Sequence, residues 1–242
     1  MTEPQGEMSF LEHLEELRWR LIKAAIAIAV CAIPSGIYWQ KILNWVMIYP
    51  LRFIENPPEI IITNPSEGII ISFKIAFAGG LIAASPAVFF QLWRFISPGL
   101  YRNEKQVILP AVLASTVFFI GGISFSYYTL PIVLKFLTTY AGESLHPMFK
   151  AGEYFGFLLK ISMSFGIVFE LPVISFVLAR MGVLTPGFLL KHFRYALVII
   201  FLLAAILTPP DVISQLMLAG PLLLLYGISI VVTALAARRK KE

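Results

Sequence analysis

The chain has 242 residues, 58% of them hydrophobic and only 14% charged, with a net charge of +5 and a mean hydropathy of +0.82. That apolar fraction is well above that of a soluble domain, so most of the surface must face lipid. The single cysteine, Cys31, lies inside the first apolar run and leaves neither an intrachain disulfide nor a CxxC redox site. The basic residues sit singly at the ends of apolar runs and form no aromatic-interleaved patch, which argues against nucleic acid as a partner.

Along the chain, Glu3, Glu7, Glu12, Glu15 and Glu16 precede the first apolar run, where a cleavable secretory signal would carry positive charge, so the N-terminus is expected to be retained. Ser9 would cap a helix in which Phe10, Leu14, Leu17 and Leu21 form one stripe and Glu12, Glu16 and Arg20 another. This predicts an amphipathic helix over 8–20 at the cytoplasmic interface. Six apolar segments follow, at 21–39, 68–93, 106–134, 154–179, 193–207 and 212–236, and the whole of 1–242 reads as one polytopic membrane domain. The fifth is short: from Tyr195 to Thr208 it reaches roughly 21 Å, against about 30 Å of hydrocarbon.

Most Lys and Arg residues fall in the stretch up to Lys23, between Arg94 and Lys105, between Arg180 and Arg194, and after Ala237. By the positive-inside rule these are cytoplasmic, which places both termini there and the loops 40–67, 135–153 and 208–211 outside. Pro34, Pro86, Pro131, Pro172 and Pro221 each remove a backbone hydrogen bond and are expected to bend their helices.

Few residues offer chemistry. By spacing alone Glu16 reads as the i,i+4 partner of Arg20, and Phe95 as a lipid or core contact. Asn103 would cap a helix after the Pro98-Gly99 turn, with Glu104 as an ordinary first-turn acid. Glu16 and Glu104 nevertheless share one cytoplasmic face. Glu170 lies ten residues before Arg180, about 15 Å along a helix, hence within the membrane, where an acid should face protein or a water-filled recess. Its alternative reading is a satisfied buried hydrogen bond. Pro172 frees the carbonyl of Val168 nearby, and Thr208 and Gln215 are polar groups at the exterior ends of the last two spans. Lys74, Lys135 and Lys160 lie toward exterior ends and are expected to snorkel.

His13, His146 and His192 form no HExxH arrangement, Asp211 is the only aspartate, and no GxxxxGK[ST] loop is present. No metal, cofactor or catalytic group is therefore expected, and the protein should not be an enzyme. Any work it does must draw on a partner or on the membrane potential.

Four stretches carry a resemblance. They are His13-Leu-Glu-Glu-Leu-Arg-Trp-Arg-Leu21, Phe95-Ile-Ser-Pro-Gly-Leu-Tyr-Arg-Asn-Glu104, Phe165-Gly-Ile-Val-Phe-Glu-Leu-Pro172 and Leu207-Thr-Pro-Pro-Asp-Val212. In this order, with these spans between them, the chain resembles the TatC family, the polytopic receptor of the twin-arginine protein translocase. The resemblance implies an all-α, concave, glove-like bundle of six transmembrane helices in the inner membrane with both termini cytoplasmic. It implies a receptor for the twin-arginine signal peptides of folded proteins, working with single-span TatA- and TatB-type partners, self-associating, and exporting at the expense of the proton motive force.

Carried onto this chain, signal-peptide recognition falls on Glu16, Arg18, Phe95 and Glu104, and contact with a partner helix on Glu170, Thr208 and Gln215. Two adjacent guanidinium groups need two carboxylate acceptors, which fits the pair of acids. The residues alone leave one other reading, a proton-coupled secondary transporter using Glu170. A transporter should show several convergent polar residues at mid-depth and an internal repeat, whereas the chain shows one clear acid and no repeat.

Overall fold

The computed structural model describes residues 10–54, 57–96, 108–140, 148–207 and 212–238. Ser9, Asn103, Glu104, His146, Thr208 and Asp211 lie outside the described residues. The first helix, α1 (Phe10–Ile37), runs unbroken through its charged first turns into its Ala- and Ile-rich body. No glycine or proline interrupts it before Pro34, and alanine and isoleucine continue a helix at little cost. The turns expected as an amphipathic helix over 8–20 are, in their described part, continuous with the helix that carries the first apolar run.

A short α2 (Trp39–Leu43) passes through one wide π turn, Asn44–Ile48, into α3 (Tyr49–Leu51). Widening the turn shifts carbonyls off the regular ladder, and two of them find hydroxyl donors: Tyr127 Oη donates to the Trp45 carbonyl at 2.8 Å and Tyr154 Oη to that of Met47 at 3.1 Å. Strand β1 (Glu59–Ile61) then leads to α4 (Glu67–Ala83) and α5 (Ser85–Ile96), which meet at a 59° bend. Pro86 lies at the start of α5 and, lacking an N–H, cannot continue the α4 ladder. The longest helix, α6 (Ile108–Tyr140), has 33 residues and is followed by β2 (Met148–Lys150), α7 (Ala151–Val168) and α8 (Leu171–Arg180). The break between α7 and α8 falls at Phe169 and Glu170, just before Pro172. Pro34, Pro131 and Pro221, by contrast, are carried inside continuous helices. Finally α9 (Pro186–Lys191), capped by Thr185 Oγ1 accepting from Phe188 N, leads to α10 (Phe193–Leu207) and α11 (Val212–Arg238).

Among the described residues, α1, α6, the α7–α8 stretch and α11 are long and apolar enough to cross a bilayer, and the bent α4–α5 pair qualifies together. The 15-residue α10 is apolar but short. The only sheet among the described residues is the parallel pair β1–β2, in register Glu59↔Met148, Ile60↔Phe149 and Ile61↔Lys150. It marks one end of the bundle, called the strand end below.

Close backbone approach, rather than large side chains, holds the helices where lipid provides no hydrophobic drive. A Cβ on Gly80 would lie 2.8 Å from the Ile28 carbonyl and 2.9 Å from Ala32 Cα, so α4 meets α1 backbone to backbone. A Cβ on Gly122 would lie 2.6 Å from the Phe165 carbonyl, which gives α6 and α7 a similar seam. Around these seams sit two cores. One, nearer the strand end, is built on Ile75, Leu130, Leu158, Ile161 and Phe165. The other, toward the opposite end, is built on Phe89, Trp93, Val112, Phe119 and Val177.

Candidate functional site

The first residue group lies where the start of α1 crosses the end of α5. Glu16 points along α1 toward Arg20, whose Nε donates to Glu16 Oε1 at 2.9 Å while Nη2 makes a second, shorter contact with the same oxygen. Arg20 also reaches Gln91 Oε1 on α5 at 3.5 Å. One turn earlier His13 stacks on Phe95 of α5, with ring centroids 4.4 Å apart and planes 15° from parallel, and its Nδ1 lies 4.0 Å from Glu16 Oε2. The structure thus brings Glu16 and Phe95 together through His13. Arg18 is exposed on the neighbouring face of α1.

The i,i+4 pairing of Glu16 with Arg20 is real, yet it occupies only one carboxylate oxygen. Glu16 Oε2 is buried and has no hydrogen-bond partner among the described residues. Such an oxygen is an acceptor held in place and awaiting a donor. Sequence reasoning missed His13 and Gln91. The i,i+3 spacing of His13 and Glu16 was a signal for the first, but nothing local indicated the second.

The second group surrounds Glu170, which is buried at the α7–α8 break. Glu170 N bonds the Ile167 carbonyl at 3.1 Å, a tightened last turn after which Pro172 restarts the helix. Its carboxylate lies beside the Ser115 side chain of α6, and Ser115 Oγ accepts from Trp93 Nε1 of α5 at 2.9 Å. One carboxylate oxygen, Oε1, is buried without a partner among the described residues. The acid therefore ends a polar relay across three helices, Trp93–Ser115–Glu170, of which only Glu170 was singled out in the sequence.

Gln215 is not part of that relay. Its Nε2 donates to the Phe201 carbonyl at 2.9 Å, tying the start of α11 to α10. Lys160 belongs to the same region: Nζ donates to the Ile206 carbonyl at 2.5 Å. That carbonyl lies in the last turn of α10, has no intrahelical donor and sits at the negative end of the helix dipole.

A third feature escaped the sequence reading. Glu67, at the first position of α4, is buried at 6% exposure. Oε2 accepts from Thr63 N at 3.0 Å and Oε1 from Gly152 N at 2.6 Å. Gly152 lies in the first turn of α7, whose amides lack intrahelical partners, so one side chain serves the entrances of two helices. A Cβ on residue 152 would lie 2.6 Å from Glu67 Oε1.

Comparison with known proteins decides the family. The family model described as Sec-independent protein translocase protein (TatC) matches residues 12–221. The chain belongs to the TatC family. It is 42% identical over 240 residues to the Sec-independent protein translocase protein TatC of Aquifex aeolicus, covering 97% of this chain and 98% of that one. With the Helicobacter pylori J99 protein of the same name it shares 38% identity over 233 residues, covering 95% and 90%. A crystal structure of the twin arginine translocase receptor TatC superposes with a TM-score of 0.83 at 39% identity, covering 94% of this chain and all of the other. The family resemblance, the all-α polytopic fold and a transport rather than catalytic role are thereby established.

Proposed function

We propose that the protein is the signal-peptide receptor and core subunit of a twin-arginine translocase in the inner membrane. It recognises the two adjacent arginines of a folded cargo's signal peptide on the face formed by the start of α1 and the end of α5, with Glu104 as the second acid. The observation that carries the reading is the buried, unpartnered Oε2 of Glu16 beside the His13–Phe95 stack. A guanidinium fork matches a carboxylate fixed in that way. The test is crosslinking of a twin-arginine signal peptide to the purified full chain at physiological salt. Capture supports the reading, and failure to capture sinks it.

The proposal carries an orientation: six crossings, with the Glu16 face and both termini cytoplasmic and the strand end outside. The support is the concentration of Lys and Arg at the Glu16 end. A cysteine at Glu59, next to the strand pair, should react with an impermeant thiol reagent added outside, and one at Arg94 should not. The opposite labelling pattern would invert the topology.

Glu170, with Thr208 and Gln215, is proposed to receive the transmembrane helix of a TatA- or TatB-type partner. A buried acid oxygen without a partner is costly in hydrocarbon and is relieved when an incoming helix supplies a polar group. Glu170→Ala should leave signal-peptide capture intact while lowering partner crosslinking and export, and Glu170→Gln should retain more of both. Were Gln as inactive as Ala with normal partner crosslinking, Glu170 would be acting as a proton carrier instead.

A further inference from the structure

Lys74 follows the first residue of α4 by seven positions and Lys160 follows that of α7 by nine, which sets them about 10 and 13 Å below the strand end. Both are placed at one face of α7. Lys74 Nζ lies 3.9 Å from where a Cβ would stand on Gly156, and Lys160 is one helical turn further along that face. Among the described residues neither lysine is in an ion pair, and the partner of Lys160 is the Ile206 carbonyl. Lys160 is exposed and Lys74 half-buried.

Two lysines rooted this far into a bilayer call for an anion within reach of their ammonium groups. The length of α10 determines which anion can reach them. Its 15 residues span about 22 Å, and its last turn ends level with the Lys160 ammonium, while α4 and α7 continue roughly 10 Å or more toward the strand end. Lipid beside the shorter helix must follow it down, bringing headgroups to the depth of the lysines. Gly156 presents no side chain on the face between them.

We propose that Lys74 and Lys160 hold the phosphate of a phospholipid from the strand-end leaflet, seated against the α7 face between α4 and α10. The site is independent of the receptor reading above, because it rests only on helix depth and charge.

The test is native mass spectrometry of the detergent-solubilised full chain titrated with phosphatidylglycerol. The wild type should retain a phosphatidylglycerol that Lys74→Gln and Lys160→Gln each bind about fivefold more weakly, with the double variant losing it. Diacylglycerol of the same acyl chains, lacking the phosphate, should not be retained. Lys74→Arg and Lys160→Arg, which keep the charge, should retain the lipid. Retention by the double Gln variant, equal retention of diacylglycerol, or loss in the Arg variants would each overturn the proposal. So would absence of retained lipid in the wild type together with crosslinking of Lys160 to an acidic residue of another helix, which would make the anion a protein carboxylate.

Discussion

Glu16→Ala is expected to reduce capture of a twin-arginine signal peptide by about 30-fold, the effect of losing a charge-assisted contact of roughly 2 kcal/mol. The complication is Arg20, because removing the carboxylate also frees a guanidinium that the native chain ties down. Arg20→Gln separates the two effects. It removes the intrahelical pair, itself supporting α1 by only about 0.3–0.5 kcal/mol, but leaves Glu16 in place beside His13 with a second oxygen released. Signal capture should therefore survive Arg20→Gln and fail in Glu16→Ala. A signal with both arginines changed to lysine should bind the wild type more weakly, since lysine keeps charge but loses the fork. If Arg20→Gln is as damaging as Glu16→Ala, Glu16 serves only to order α1, and the recognition role falls.

The largest effect on stability should come from Gly80→Leu. The new side chain would start 2.8 Å from a carbonyl and 2.9 Å from a Cα of α1. Backbone cannot turn aside as a flexible side chain can, so the helices must separate, at an expected cost of about 3 kcal/mol or more. Because α1 carries Glu16, loss of the seam would also remove the signal-binding face. Gly68→Leu is the matched control: it lies on the same helix, and a Cβ there meets nothing within 4 Å. Thermal unfolding in detergent, followed by the monodisperse fraction on gel filtration, should show Gly80→Leu collapsing while Gly68→Leu behaves as wild type. Equal behaviour of the two would mean that α1 and α4 are not in backbone contact.

The fold was largely readable because each span is local: an apolar run of sufficient length and its flanking charges lie in consecutive residues. Helix breaks do fall beside Pro86 and Pro172, whereas Pro34, Pro131 and Pro221 lie inside continuous helices, since neighbouring packing lets a helix continue through a missing donor. The continuity of α1 was missed because a polar-to-apolar change in composition was taken for a break in the chain's path. The site was readable only in part. Glu16 and Phe95 were singled out as positions, but the stack that joins them spans α1 and α5, and no periodicity reports a contact between distant helices. Glu67 was passed over as a loop acid for the same reason: its partner Gly152 is 85 residues away. The partner of Lys160 was not legible either, because only the early stop of α10 places a carbonyl acceptor within its reach.

The parallel pairing of β1 with β2 constrains how the chain is threaded. Two segments that hydrogen-bond to each other must lie on the same side of the bilayer, so the chain between them crosses an even number of times. The intervening elements are the bent α4–α5 pair and α6, and α6, with 33 residues, reaches about 50 Å and crosses once. With the proposed topology, the bent pair is then expected to supply the other crossing. A re-entrant excursion returning to its own side would leave β1 and β2 on opposite surfaces, where three residue pairs of backbone register could not form. A ladder of six residues thus counts the spans between its strands, and the Glu67–Gly152 bond beside it closes only after that count is complete.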